Sequence, residues 1–187
     1  MAKANRKPIR NPQSAIRNPK SAVRNAVVGI VMGSDSDLEI VKKCTDQLAA
    51  FGIAYEQRII SAHRTPQQAH EFASGAKDRG LKVIIAAAGM SAALAGVMAA
   101  NTTLPVIGIP IVSGPLGGID AALSTMQMPP GIPVACMSIG SAGATNAAIL
   151  AAQILALSDA GLAARLEEFK REQARKVQQK DAQLRQA

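Results

Sequence analysis

Ser61-Ala62-His63-Arg64-Thr65-Pro66 holds the side chains of this chain best suited to moving a proton beside a bound anion. An unperturbed imidazole titrates near neutrality, so His63 can give and take a proton at cellular pH. Arg64 adds a permanent charge and a planar fork of donors that matches phosphate. A single histidine in a loop is more often structural than chemical. Arginine directly after it, at the carboxyl end of an expected strand, favours the chemical reading. The second histidine, His70, falls inside the next helical pattern beside Glu71 and reads as a surface residue.

Three further segments have the composition of ligand loops. In Gly33-Ser34-Asp35-Ser36-Asp37, hydroxyls and backbone N–H groups ahead of a helix make a phosphate site. Capping by Ser or Asp is the plainer role, but four polar residues behind one glycine exceed what capping requires. The segment is neither a Walker A loop nor GxGxxG, which speaks against ATP and NAD. In Ala86–Gly96 the small residues around Gly89, Ser91 and Leu94 let a ligand ring approach the backbone, although tight helix–sheet packing also uses such residues. Ser113-Gly114-Pro115-Leu116-Gly117-Gly118-Ile119-Asp120, running on to Gln127-Met128-Pro129, reads as a loop that covers a site or lines a subunit contact.

These segments need elements to hold them. Val27–Met32 is a short apolar run, and Leu38, Val41, Cys44 and Leu48 then mark one helical face. The unit recurs: a strand over Ile53–Ile60 and a helix over Thr65–Arg79, then a strand over Val83–Ala88 and a small-residue helix over Ser91–Ala100. A fourth strand covers Pro105–Val112, with a short helix near Ala121. A fifth covers Pro133–Ile139, with a helix over Gly143–Leu157. Continuous apolar strands imply burial on both faces and a parallel sheet. The alternation predicts an α/β, three-layer αβα doubly wound domain of about five strands, with ligands beyond the strands' carboxyl ends. A last helix begins after Ser158, a plausible N-cap, with Leu162, Leu166 and Phe169 on one stripe. Beyond Arg171 it is polar all round; its stripe can lie on the parent domain, but packing on a neighbouring subunit is the expected role.

The expected organisation is a basic extension over 1–25, a domain over 26–157 and the extra helix over 158–187. The extension repeats Ile9-Arg10-Asn11-Pro12-Gln13-Ser14-Ala15 as Ile16-Arg17-Asn18-Pro19-Lys20-Ser21-Ala22. A proline in each copy removes the coiled-coil option, and unopposed charge points to disorder. This segment accounts for seven of the 21 basic residues, leaving 14 against 13 acidic ones in the remainder. The net charge of +8 therefore describes the extension rather than a basic face, and specific nucleic-acid binding is not expected. Three Phe, one Tyr and no Trp provide too few stacking platforms for single strands. Cys44 and Cys136 have no metal-ligand spacing and read as buried free thiols. No signal peptide or membrane span is recognisable, so the expected location is the cytoplasm.

Together the segments resemble the N5-carboxyaminoimidazole ribonucleotide mutase family, the catalytic subunit of phosphoribosylaminoimidazole carboxylase. The likeness runs from about Val27 to Leu157. It rests on MGSDSD at 32–37, SAHRTP at 61–66, PVIGIP at 105–110, SGPLGGIDAALSTMQMPPGIPVA at 113–135 and GSAGATNAAILAAQIL at 140–155. The resemblance implies a flavodoxin-like fold, assembly as a homo-octamer with C-terminal helices crossing between subunits, and chemistry that uses no cofactor or metal. It implies His63 as general acid/base, Ser34, Ser36 and Arg64 at the phosphate, and Asp37 on the ribose hydroxyls. Ser61, Gly89, Ser91 and Leu94 complete the expected substrate contacts. The substrate would be a carbamate that loses CO2 and regains it at ring carbon C4.

The likeness departs at one loop. Mutase members usually carry GGAAHLPG where this chain reads GMSAALAG, so Ala93 stands where a His is expected. That loop leans toward a sister class that carboxylates aminoimidazole ribonucleotide directly with CO2. Arg64, where the sister class has Lys, and the 113–135 segment lean toward the mutase, which is the preferred reading. A flavodoxin-like nucleotide-binding module without catalysis is a further alternative. The scarcity of aromatic rings weighs against a flavin in it.

Overall fold

Val28-Gly29-Ile30-Val31-Met32 is buried along its whole length, as an unbroken apolar run requires when both sheet faces are covered. It forms β1 (Val28–Met32), an inner strand of a five-stranded sheet in the computed structural model, which describes residues 25–186. The repeats at 9–22 lie outside the described residues. A single 3-10 turn (Asp35–Asp37) leads into α1 (Leu38–Ala50). There follow β2 (Tyr55–Ile59), α2 (Pro66–Ser74), β3 (Val83–Gly89), α3 (Leu94–Ala100), β4 (Val106–Ile111), α4 (Ile119–Met126), β5 (Ala135–Cys136), α5 (Ser141–Ala156) and α6 (Ala160–Arg185).

The order is β2-β1-β3-β4-β5 and every neighbouring pair is parallel. The chain goes from β1 outward to β2, then returns to the other side of β1 with β3. The reversal leaves a crevice at the carboxyl ends of β1 and β3, where ligands bind in such sheets.

Side-chain alternation divides the core in two. Val28, Ile30 and Met32 of β1, Val83 and Ile85 of β3 and Ile107 and Ile109 of β4 face α1, α5 and the start of α6. Val31, Ile84, Ala86 and Val106 face α2 and α3. On this second face α4 rests close to β4, because a Cβ on Gly108 would lie 2.3 Å from Thr125 Cγ2. On the first face α5 presents Ala144, Ala147, Ala148, Ala151 and Ala152, all fully buried. Methyl-sized side chains bring its backbone near α1. Its start is tighter still: a Cβ on Gly143 would fall 1.7 Å from the Ser138 carbonyl oxygen.

Several boundaries differ from the sequence reading. β2 is the edge strand, and Tyr55–Ile59 is mostly exposed while Ile53 and Ile60 on its flanks are buried. Its polar residues suit an edge facing water, so the apolar continuity expected of every strand fails here. α2 stops at Ser74, capped by Gly75, and turns occupy the stretch to Gly80. β5 shrinks to two residues. Gly108 and Pro110 of β4 both turn toward it, accepting from the Met137 and Gly140 N–H groups, and Pro110 has no N–H to continue the ladder.

The cap of α6 is Asp159, not Ser158: its carboxylate accepts from the Leu162 N–H at 2.9 Å. Leu162 and Leu166 are buried in the first core, and the Phe169 ring meets Phe51 edge-on at 5.3 Å between centroids. The apolar stripe therefore lies on its own domain. From Lys170 to Gln186 every residue is exposed.

Candidate active site

The turn after β1 is held by its own side chains. Ser34 Oγ accepts from the Ser36 N–H at 3.3 Å, and Asp37 Oδ2 accepts from the Ser34 N–H at 3.1 Å, closing a capping box. Ser34 Oγ also donates to Asp35 Oδ1 at 3.0 Å. The capping role and a ligand role thus fall on the same residues. Asp37 is only 5% exposed. Burial pushes its carboxyl above the ordinary carboxylate range, against the opposing pull of the Ser34 N–H and the Ser36 hydroxyl. Such a group is suited to accepting from sugar hydroxyls, which return the hydrogen bonds it lost on leaving water.

The turn after β2 is a knot around Ser61. Its carbonyl accepts from the Thr65 N–H at 2.8 Å and from Thr65 Oγ1 at 3.0 Å. Its N–H donates back to Thr65 Oγ1 at 3.0 Å. Pro66 then opens α2 with the fixed φ and missing N–H that suit a first helical position. The knot leaves His63 and Arg64 at its outer side, both exposed. Arg64 Nη2 donates to the Gly33 carbonyl at 2.8 Å, and its Nε donates to Ser61 Oγ at 3.3 Å. Arg64 therefore ties the two turns together and keeps its remaining N–H groups for an anion. Among the described residues His63 makes no side-chain hydrogen bond.

β3 and β4 supply the opposite wall. Gly89 is pressed beneath Ser113: a Cβ on Gly89 would lie 1.9 Å from Ser113 Oγ. Met90 follows with φ 56°, and it is the one non-glycine residue with positive φ among the described residues. Such a conformation costs on the order of 1–3 kcal/mol for a residue with a Cβ.

Between these walls lies a cleft of about 530 Å³. Ser34, Ser36, Asp37, Ser61, His63, Arg64, Gly89, Ser91 and Leu94 all line it, so nine residues from three separate loops meet in one place. The lining is divided by origin: the turns after β1 and β2 supply Ser34, Ser36, Asp37, Ser61, His63 and Arg64, whereas the β3 loop supplies the apolar Ala88, Met90, Ala93 and Leu94, with Ser91 among them. Ser113 also lines it; the sequence marks its segment as a loop that covers a site or lines a subunit contact, but does not single out Ser113 as a substrate contact. Its place at the carboxyl end of β4 was the available signal, but nothing local says that β4 lies beside β3.

A second cleft of about 530 Å³ lies at the amino ends of the strands, lined by Val27, Ile53, Ala54, Lys82, Asp159 and Arg165 among others. It contains no histidine. Both thiols stand outside both clefts. Burial pushes Cys44 up to about 12. Cys136, expected to be buried, is half-buried, and the same cause raises it. No group of three or more His, Cys, Asp or Glu among the described residues could hold a metal ion, and no described helix is long and apolar enough to cross a membrane.

Residues 27–176 match the family model described as AIR carboxylase. A Vibrio parahaemolyticus protein named N5-carboxyaminoimidazole ribonucleotide mutase is 53% identical over 150 residues, 80% of this chain and 93% of that protein. A Bacillus subtilis protein of the same name is 54% identical over 142 residues, 76% of this chain and 88% of that protein. Among solved structures, Treponema denticola PurE superposes with a TM-score of 0.76 at 33% identity, over 84% of this chain and 97% of that one.

Proposed function

This chain belongs to the AIR carboxylase family, and from that premise we propose that it is a mutase of purine biosynthesis. It moves the carboxylate of N5-carboxyaminoimidazole ribonucleotide to C4, giving 4-carboxy-5-aminoimidazole ribonucleotide. The observation that carries this reading is the joint placement of His63, Arg64, Ser34 and Asp37 in one cleft, in a chain about half identical to proteins named for that reaction.

The divided cleft suits the chemistry. Ser34, Ser36 and the free N–H groups of Arg64 receive the phosphate, and Asp37 receives the ribose hydroxyls. The imidazole ring of the substrate then lies toward the small residues of the β3 loop. The carbamate N–C bond breaks, CO2 leaves, and the electron pair stays on nitrogen, which His63 protonates. C4 then attacks CO2, and the C4 proton returns to His63. One imidazole serves both transfers, and acid–base catalysis of this kind is worth about 10²–10⁴-fold. Keeping CO2 against the ring supplies the proximity term.

Ala93 supports the other reaction class, direct carboxylation of aminoimidazole ribonucleotide. The two are separated by offering the purified protein each substrate and following product absorbance. The mutase converts the carbamate without added bicarbonate and uses the amine only at very high bicarbonate. Efficient carboxylation at modest bicarbonate, with inertness toward the carbamate, overturns the assignment.

The assembly proposed is a cytoplasmic homo-octamer. Val112, Leu116, Ile119, Leu123 and Met126 leave a large apolar patch on α4 and the loop before it, of the kind that marks a protein contact. The exposed length of α6 beyond Lys170 is available to reach a neighbour.

A further inference from the structure

Met90 is hard to explain by folding. Its backbone sits at φ 56°, where glycine would be unstrained. The residue is 56% exposed, where a polar side chain would cost less. The side chain nevertheless lies across the cleft's apolar side and reaches the next loop. A Cβ on Gly114 would lie 3.6 Å from Met90 Cγ and 3.9 Å from its Cε, both within ordinary contact distance. Directly behind it Gly89 is locked under Ser113. The β3 and β4 loops thus pass close to each other at two successive residues. Met90 forms the outer contact, and Ala93 beside it carries neither a hydrogen-bonding group nor a proton.

We propose that Met90 is a positioning residue that closes the apolar side of the cleft over released CO2. The proposal rests on the mutase reading. Between cleavage of the N–C bond and attack by C4, the carboxyl group exists as a small neutral molecule that no ionic contact can retain. Only shape and the exclusion of water keep it near the ring. When it escapes, the carbamate has gained one proton at nitrogen and become aminoimidazole ribonucleotide, with CO2 lost to solvent. A thioether chain held between two loops is a water-excluding wall, and the left-handed backbone at residue 90 aims it there.

The test measures partition rather than rate. Parent, Met90→Gly, Met90→Gln and Met90→Leu proteins are each given the carbamate substrate. Aminoimidazole ribonucleotide and the C4-carboxylate are counted, with decay in enzyme-free buffer subtracted. Met90→Gly relieves the backbone and Met90→Gln keeps the length but admits water. Both are expected to raise the amine released per carboxylate formed severalfold, with thermal stability unchanged or higher. Met90→Leu, which keeps an apolar wall at the same backbone strain, restores the parent ratio. Equal ratios in all four proteins overturn the proposal, and so does a Leu variant as leaky as the Gln variant. Failure of the parent itself to convert the carbamate overturns the mutase reading instead.

Discussion

Two clefts of about 530 Å³ stand at opposite ends of the same parallel sheet, and only one has the composition of a reaction site. At the amino ends, Lys82 precedes a strand, and Asp159 and Arg165 belong to a helix added after the sheet is complete. At the carboxyl ends, every contributing loop carries the chain from a strand into a helix. Such loops bring helix amino termini, with their unpaired N–H groups, to one edge. They can vary in sequence without disturbing the strands beneath. Volume therefore does not identify the site. The direction of the strands does, because it decides which loops converge.

Substitution at each end breaks or sharpens that contrast. The largest effect is expected for His63→Asn, which keeps a polar side chain but cannot carry the proton. kcat should fall about 10²–10⁴-fold, with ligand affinity within about tenfold of the parent. Lys82→Ala, at the other cleft, should leave both quantities at parent values. Comparable losses from the two changes would abolish the distinction between the ends.

Arg64→Ala comes next. It removes a charge-assisted contact worth roughly 1.5–3 kcal/mol, so affinity for substrate should weaken about ten- to hundredfold, more than kcat changes. The same change unties Gly33 from Ser61, and phosphate-free analogues report that part separately. If they weaken as much as the substrate does, Arg64 acts only as a tie between loops.

Asp37→Asn has a smaller effect, and stability and binding move in opposite directions. Because burial raises the Asp37 carboxyl in the folded protein, its ionised form opposes folding above that raised value. This cost vanishes as pH falls through it toward the ordinary carboxylate value. The amide variant should therefore melt higher than the parent near neutral pH, and the gain should shrink in acid while affinity for the ribosyl substrate drops at neutral pH. A lower melting temperature at pH 7 would mean that the capping box outweighs the burial of charge. The smallest effect is expected from deleting residues 2–24, since among the described residues the cleft is lined by those between Gly33 and Ser113 and the repeat offers no group suited to the chemistry. Turnover by the shortened protein, measured beside the parent, should be the same.

Much of the site was readable in the sequence because each loop is short and chemically distinct. Gly33–Asp37 directly follows the apolar β1, and Ser61–Pro66 directly follows Ile59-Ile60 at the end of β2, so their place at a strand's carboxyl end could be read from the local sequence. Ser113 and Met90 lie in segments the sequence marks as candidate ligand loops, but their individual places as site walls were not readable. The first depends on β4 lying next to β3, and the second on one backbone torsion. No spacing rule reports either.

The same division holds across the molecule. By itself the sequence determined the alternation of strands and helices, the parallel sheet and the candidacy of His63 as proton carrier. Hydrophobic periodicity and the chemistry of single side chains are local properties. Only the tertiary structure decided that Arg64 would bridge to the Gly33 carbonyl and that the edge strand β2 could be polar. It also decided that Asp159 would cap α6 and that Leu162, Leu166 and Phe169 would lie on their own domain. Each of these depends on which surface comes to rest beside another. Strand order settles that, and an amphipathic stripe records only that it must be covered, not by what.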